Sequence, residues 1–217
     1  MKRVERMKFY IFLILLGVVL GIGFAITGWP IWIAYIVIVV VGVTHLLSPL
    51  YVLYRSKNLE ALTKIVDKFK KNPIYLYMYL LRDGTNEELL GVLDQVLTKY
   101  KNEKYQAIYG TLHALLQEDF QAARQYIKPM LHKEVGQYTN DLIDILEGNY
   151  DDIPTKSYEK DWMNSSIVAH KAYMEKDIEG FEIASRQAVQ QAVGIQHYGN
   201  YYTFQRMHKE LQQKFNK

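Results

Sequence analysis

Cysteine is absent from the 217-residue chain, which excludes disulfides, thiolate nucleophiles and Cys-ligated zinc. The same absence leaves the redox compartment open. Charge is missing from one long stretch. Between residues 9 and 54 the chain has no Asp, Glu, Lys or Arg, whereas from residue 55 onward it carries the mixed charge of an ordinary soluble domain. Gly-rich phosphate loops, Gly-x-Ser-x-Gly, His-Glu-x-x-His and kinase signatures are all lacking. No cofactor, metal or catalytic residue is therefore expected, and the chain is read as non-enzymatic. Alternating strand patterns are also absent after residue 55, so the fold class expected is all-α.

The uncharged stretch holds two apolar runs, residues 9–26 and 31–53, separated by Thr27-Gly28-Trp29-Pro30. A run of 18 residues spans about 27 Å as a helix, close to the hydrocarbon thickness of a bilayer. So short a link makes the two runs antiparallel neighbours, a two-helix transmembrane hairpin within a first domain of residues 1–54. Trp29 and Trp32 suit headgroup depth. Lys2, Arg3, Arg6 and Lys8 precede the first run, bases follow the second, and the turn has none. The positive-inside rule then places both termini in the cytoplasm and the turn outside, in the cell membrane. A cleaved signal peptide shares the basic start, but the run is long, a second follows at once and no Ala-x-Ala site stands out.

Within the runs, Gly17 and Gly21 form a small-xxx-small pair that permits close helix packing. His45, flanked by Thr44 and Ser48, is the sole ionisable side chain of the spans. It lies within about two turns of the cytoplasmic end, where imidazole reaches water.

Net charge is +3, all of it held formally by residues 1–8. Residues 55–217 contain 22 basic and 22 acidic side chains, and six of those bases against two acids fall in residues 55–71. The remainder is acidic and lacks the basic face that nucleic-acid phosphates require, so no nucleic-acid partner is expected. Within the basic segment Lys64, Lys68, Lys70 and Lys71 are expected to contact the lipid surface.

Residues 55–217 form the second domain. Leu59, Leu62, Ile65, Val66 and Phe69 repeat at helical spacing, Asn72-Pro73 closes that helix and opens another, and Asp83-Gly84 breaks again. Thr85 with Glu88 reads as a capping box, and Asn102 and Asp119 read as helix caps. Further helices are expected over 135–147, 158–174, 178–193 and 197–215, giving about nine. Glu87-Glu88 and Asp151-Asp152 fall at a helix start and a turn, where carboxylates complement the macrodipole.

Three turns recur. Gln117-Glu118-Asp119-Phe120 with Ala123 and Pro129 is followed about 30 residues later by Glu147-Gly148-Asn149-Tyr150. Another 28 residues on stands Glu175-Lys176-Asp177-Ile178 with Gly180-Phe181. Over roughly residues 57–215 this pattern resembles a degenerate tetratricopeptide repeat, with Gly148-Asn149-Tyr150 as its Gly-x-Tyr turn. The spacing is shorter than the repeat's usual length of about 34 residues, and no helix opens on Trp-x-x-Leu-Gly. The resemblance implies an α-solenoid whose concave groove binds protein segments.

Histidines 113, 132, 170, 197 and 208 are scattered without ligand spacing. Tyrosine is abundant, with 14 of 18 after residue 55. Tyrosine fills inter-helix gaps and also offers large contact area at low rotamer cost. Tyr75, Tyr79, Tyr105, Tyr109 and His113 are the expected partner-binding residues. The function expected is a membrane-anchored scaffold recruiting an unidentified protein. The alternatives are a non-catalytic subunit of a larger membrane complex and an enzyme working at the membrane interface.

Overall fold

A computed structural model describes residues 32–149 and 158–215, together with positions 14, 15, 17–19, 21–23, 26, 28 and 30. The side chains of residues 34, 45, 46, 214 and 215 lie outside the description, and the expected role of His45 with them. Among the described residues the chain is all-helical, with no strand. It divides into two compact units, residues 1–51 and 52–217.

The first unit contains most of α1 (Trp32–Arg55). Its segment Tyr35–Arg55 is, among the described residues, the one helix long and apolar enough to cross a membrane, and only 6% of it is buried. Pro49 lies inside α1, and the helix continues through Ser48-Pro49. Thr44 donates its hydroxyl to the Val40 carbonyl at 2.8 Å, so no polar group of that side chain is left bare on an apolar surface. The first expected span, 9–26, falls largely outside the described residues. Its described positions between 14 and 26 are helical, and Gly28 in the expected turn has φ +69°. The coarse all-α expectation holds, and the second spanning helix is not shown.

The second unit contains nine α-helices among its described residues. They are α2 (Leu59–Phe69), α3 (Pro73–Asp83), α4 (Asn86–Lys99), α5 (Glu103–Leu116), α6 (Phe120–Ile127), α7 (Glu134–Glu147), α8 (Asp161–Glu175), α9 (Ile178–Gln191) and α10 (Gly194–Phe215). Local chemistry sets most boundaries. Asn72 accepts from the Ile74 amide with Pro73 at the first helical position. Thr85 and Glu88 make both bonds of the capping box, at 3.2 and 2.9 Å. Asn102 and Asp119 accept from the Lys104 and Ala122 amides. Each such cap satisfies an amide that a helix start otherwise leaves without a partner.

Two helix starts differ from the sequence expectation by three residues. Helix α8 starts at Asp161 rather than 158, because the Asn164 side chain grips the backbone of Tyr158. Its Oδ1 accepts from the Tyr158 amide at 2.7 Å and its Nδ2 donates to the Tyr158 carbonyl at 2.9 Å. Helix α10 starts at Gly194 rather than 197, where the glycine takes φ +60° and donates to the Ser56 carbonyl at 2.7 Å.

The three recurring turns share one backbone form. Helices α5, α7 and α8 each end on a left-handed residue: Glu118 (φ +58°), Gly148 (φ +91°) and Lys176 (φ +60°). In each, the next amide reaches back to the helix: Asp119 to Ala114, Asn149 to Asp144, and Asp177 to Ala172. This is the Schellman closure, which satisfies the last carbonyls. Only one of the three uses glycine; Glu118 and Lys176 take the left-handed form against a cost of roughly 1–2 kcal/mol. Gly180 lies not in the turn but inside α9, where its amide donates to the Asp177 carboxylate.

Successive helices pair down the chain, and α10 in addition packs on α2 and α3. Its N-terminal half brings Tyr198 and Tyr202 onto Leu62 and Val66. Its C-terminal half packs Phe204, Met207 and Leu211 with Phe181, Ala184 and Ala188 of α9. Arg206 fastens the same helix to the α3–α4 turn, donating to the Gly84 carbonyl (2.6 Å) and Asn86 Oδ1 (2.7 Å). The last helix thus returns to the first ones of the array, a closure that adjacent-repeat stacking alone does not supply.

Candidate functional site

The alternating tyrosines of α3 separate by face, since residues two apart on a helix point to opposite sides. Tyr77 is buried and meets Tyr109 edge-on at 6.2 Å. Burial pushes its hydroxyl pKa up to about 12. Tyr75 and Tyr79 lie one turn apart on the other face, half-buried against Leu62, Val66 and Tyr198. Phe69 tilts onto Tyr75 at 5.5 Å. The Tyr79 ring takes the Lys70 ammonium at 4.4 Å and the Arg82 guanidinium at 4.9 Å. A half-buried aromatic patch edged by cations therefore runs along α2 and α3.

Tyr105 and Tyr109 share a face of α5 and stack at 6.1 Å, with Tyr100 leaning on Tyr105 at 5.1 Å. Tyr109 is 8% exposed, so its contribution is to packing. Burial, followed by neighbouring tyrosine hydroxyls, raises its pKa. Tyr105 is half-buried. His113 is half-buried as well, its Nε2 lying 3.1 Å from Asp94 Oδ1 on α4. The five expected partner residues thus fall in two groups, Tyr75 with Tyr79 and Tyr105 with His113, with Tyr109 behind the second.

Lys64, Lys68, Lys70 and Lys71 are all exposed. Lys64 pairs with Glu60 at 2.6 Å, one helical turn away. So solvated a pair stabilises α2 little. Gly17 and Gly21 face open space: a Cβ at either position meets nothing within 4 Å.

Polar chemistry is also buried, which sequence reasoning missed. The Tyr158 hydroxyl donates to buried Asp141. Tyr138 and Ser166 share a hydrogen bond of 2.7 Å, and Ser166 Oγ lies 3.4 Å from His170 Nδ1. That nitrogen is engaged more closely by its own helix, donating to the Ser166 carbonyl at 2.7 Å. Ser166 and His170 are 1% and 8% exposed. The Ser166 hydroxyl ties α8 to Tyr138 of α7 and the His170 imidazole is bonded within its own helix, both closed off from solvent rather than set out as a nucleophile and its base. Burial pushes the Tyr138 hydroxyl pKa up, with the Ser166 bond opposing. The signal in the sequence was weak: Asp141, Ser166 and His170 fit helical core spacing, but nothing local marks them as partners.

Two further histidines are also held structurally. His197 Nδ1 bonds the Val189 carbonyl at 2.7 Å, and His208 stacks on Phe181 at 6.2 Å. Among the described residues no group of three or more His, Cys, Asp or Glu side chains could hold a metal ion. No protein-family model, characterised protein or solved structure matches this chain.

Proposed function

We propose that the protein is a membrane-anchored scaffold whose helical array recruits another protein at the cytoplasmic surface. The observation that carries this reading is a contrast along one continuous helix. Tyr35–Arg55 is apolar and 6% buried, unlike the mostly buried core helix of a soluble fold. Its last turn already belongs to a unit with nine further helices among the described residues and buried clusters of its own. An apolar helix that no protein core covers suits a bilayer. Residues 9–26 would supply the second arm of the hairpin, with both termini inside.

The three Schellman turns, 30 and 28 residues apart, share one backbone closure, and that recurrence supports a degenerate tetratricopeptide-like repeat. The patch of Tyr75, Tyr79 and Lys70 is the recognition surface we favour, because it joins aromatic area to exposed positive charge. The test compares partner capture by the full-length protein in mild detergent with capture by a fragment beginning at Val52. That start keeps Val52, which packs with Leu59 and Tyr198. A partner kept by both proteins, and lost on Tyr79→Ala with Lys70→Glu, supports the scaffold. Absence of any partner from both opposes it and returns weight to an interfacial enzyme.

A second reading, a non-catalytic subunit of a larger membrane complex, draws on Gly17 and Gly21, whose small-residue face nothing in the described chain fills. Gly17→Ile with Gly21→Ile should then release a co-purifying membrane protein. If the same partner stays bound, the subunit reading loses its support.

A further inference from the structure

A cleft of about 480 Å³ opens where the last turn of α1, the start of α8 and the α9–α10 junction converge. We propose that it binds the headgroup of a zwitterionic phospholipid drawn from the bilayer that α1 enters; this rests on reading α1 as a membrane span. The volume lies within the range of about 300–1,000 Å³ usual for small-molecule sites.

Position argues for a lipid. Leu53 and Tyr54 line the cleft and are also the final residues of the apolar segment before Arg55. They therefore fall at headgroup depth, where an amphipathic aromatic is favoured. Tyr54 is 68% exposed and Trp162 also lines the cleft, so two aromatic side chains contribute to its wall. An exposed Val193 beside them offers apolar surface continuous with an acyl chain.

Charge argues for the headgroup class. The lining carries Lys160 between Glu159 and Asp161. A phosphate fits the Lys160 ammonium, and the headgroup ammonium fits the neighbouring carboxylates and the aromatic faces. A headgroup with negative charge alone would leave two carboxylates facing it, so anionic lipid is disfavoured.

The polar wall is held in place from behind. Buried Ser165 donates to Gln191 Oε1 at 2.7 Å, which fixes that amide and leaves its N–H donors for a phosphate oxygen. Gln196 donates to Asn200 Oδ1 at 2.9 Å, and the Nδ2 of Asn200, 7% exposed, has no hydrogen-bond partner. An unused buried donor one turn beyond a lining residue is unusual, since such groups are nearly always satisfied. Lys160, the residue capping the start of α8, makes no side-chain cap hydrogen bond.

The test uses the full-length protein reconstituted in nanodiscs of equal phosphatidylethanolamine and phosphatidylglycerol, then native mass spectrometry of the protein released in mild detergent. One phosphatidylethanolamine should be retained in preference to phosphatidylglycerol. Lys160→Glu and Tyr54→Ala, both exposed positions, should each reduce that retention at least five-fold, while Lys209→Glu on the exposed face of α10 should not. Equal retention by all variants, or preference for phosphatidylglycerol, overturns the proposal. An alkaline carbonate wash separates the two ideas. Wild type that stays in the membrane pellet but retains no lipid fails the cleft alone, and wild type that washes out fails the anchor and the cleft together.

Discussion

The amide of Gly194 donates to the carbonyl of Ser56 at 2.7 Å, tying the start of the last helix to the residue just past the apolar one. The approach is close enough that a Cβ on Gly194 would stand 2.1 Å from the Leu53 carbonyl oxygen, and the residue already sits at φ +60°. Glycine alone meets both conditions.

Gly194→Ala should therefore destabilise the second unit by about 2–4 kcal/mol, combining left-handed strain with a backbone collision. Gly148→Ala is the control: it too is left-handed, at φ +91°, but a Cβ there meets open space. Its cost should stay near 1 kcal/mol. Thermal unfolding of both variants checks this, and equal midpoints would remove the argument from close approach.

Two buried tyrosine hydroxyls should respond in opposite directions. The Tyr198 hydroxyl is buried without a hydrogen-bond partner, whereas that of Tyr138 is bonded to Ser166 at 2.7 Å. Removing an unsatisfied polar atom relieves its desolvation; removing a satisfied one strands its partner. Tyr198→Phe should be neutral or stabilising by about 1 kcal/mol, and Tyr138→Phe destabilising by about 1–2 kcal/mol. Denaturant midpoints of the two variants, measured side by side, decide it.

The caps that separate the helices were legible because they are local. Asn72-Pro73, Thr85 with Glu88, Asn102 and Asp119 each act within three residues, so a short window contains the whole interaction. The turn of Glu118 and that of Lys176 were legible as breaks but not as left-handed residues, because neither is a glycine and the form shows only in the backbone bonds that close each helix. Closure by α10 was illegible. Tyr198 and Leu62 lie far apart in sequence, and Tyr198 carries no mark that distinguishes it from exposed Tyr126. The candidate site shows the same limit. Helical spacing put Tyr105 and Tyr109 on one face, but only the neighbouring α3, through Tyr77, makes Tyr109 core and leaves Tyr105 half-open.

Acid should weaken the fold through His170. Burial holds its imidazole below the ordinary value of 6.5, and the bond to the Ser166 carbonyl only partly opposes that. The unfolded chain takes up this proton near pH 6.5 while the folded protein does not until lower pH. In that window the unfolded state binds more protons, so stability is full above the unfolded pKa and is lost as pH falls toward the folded one. The melting temperature of wild type should fall more steeply between about pH 7 and pH 5 than that of His170→Gln. Parallel curves would remove His170 from the account.

The basic segment should orient the second unit rather than anchor it. Changing Lys64, Lys68, Lys70 and Lys71 to Gln removes four exposed charges, each contributing about 1 kcal/mol near an anionic leaflet. The variant should stay in the membrane fraction yet lose photo-cross-links from residues 64–71 to lipid. Unchanged cross-linking would contradict a lipid-facing role for these lysines.

The absence of cysteine makes the topology directly measurable, because any thiol introduced is the only one in the chain. Thr27→Cys marks the turn between the two apolar runs, and Gln213→Cys marks an exposed position on α10. Intact cells carrying either variant are treated with a membrane-impermeant maleimide, and parallel samples are permeabilised first. A membrane hairpin carrying a cytoplasmic array predicts that the turn thiol of Thr27→Cys is labelled from outside. The α10 thiol of Gln213→Cys should be labelled only after permeabilisation. Labelling of the α10 thiol in intact cells, or protection of the turn thiol there, would contradict that arrangement.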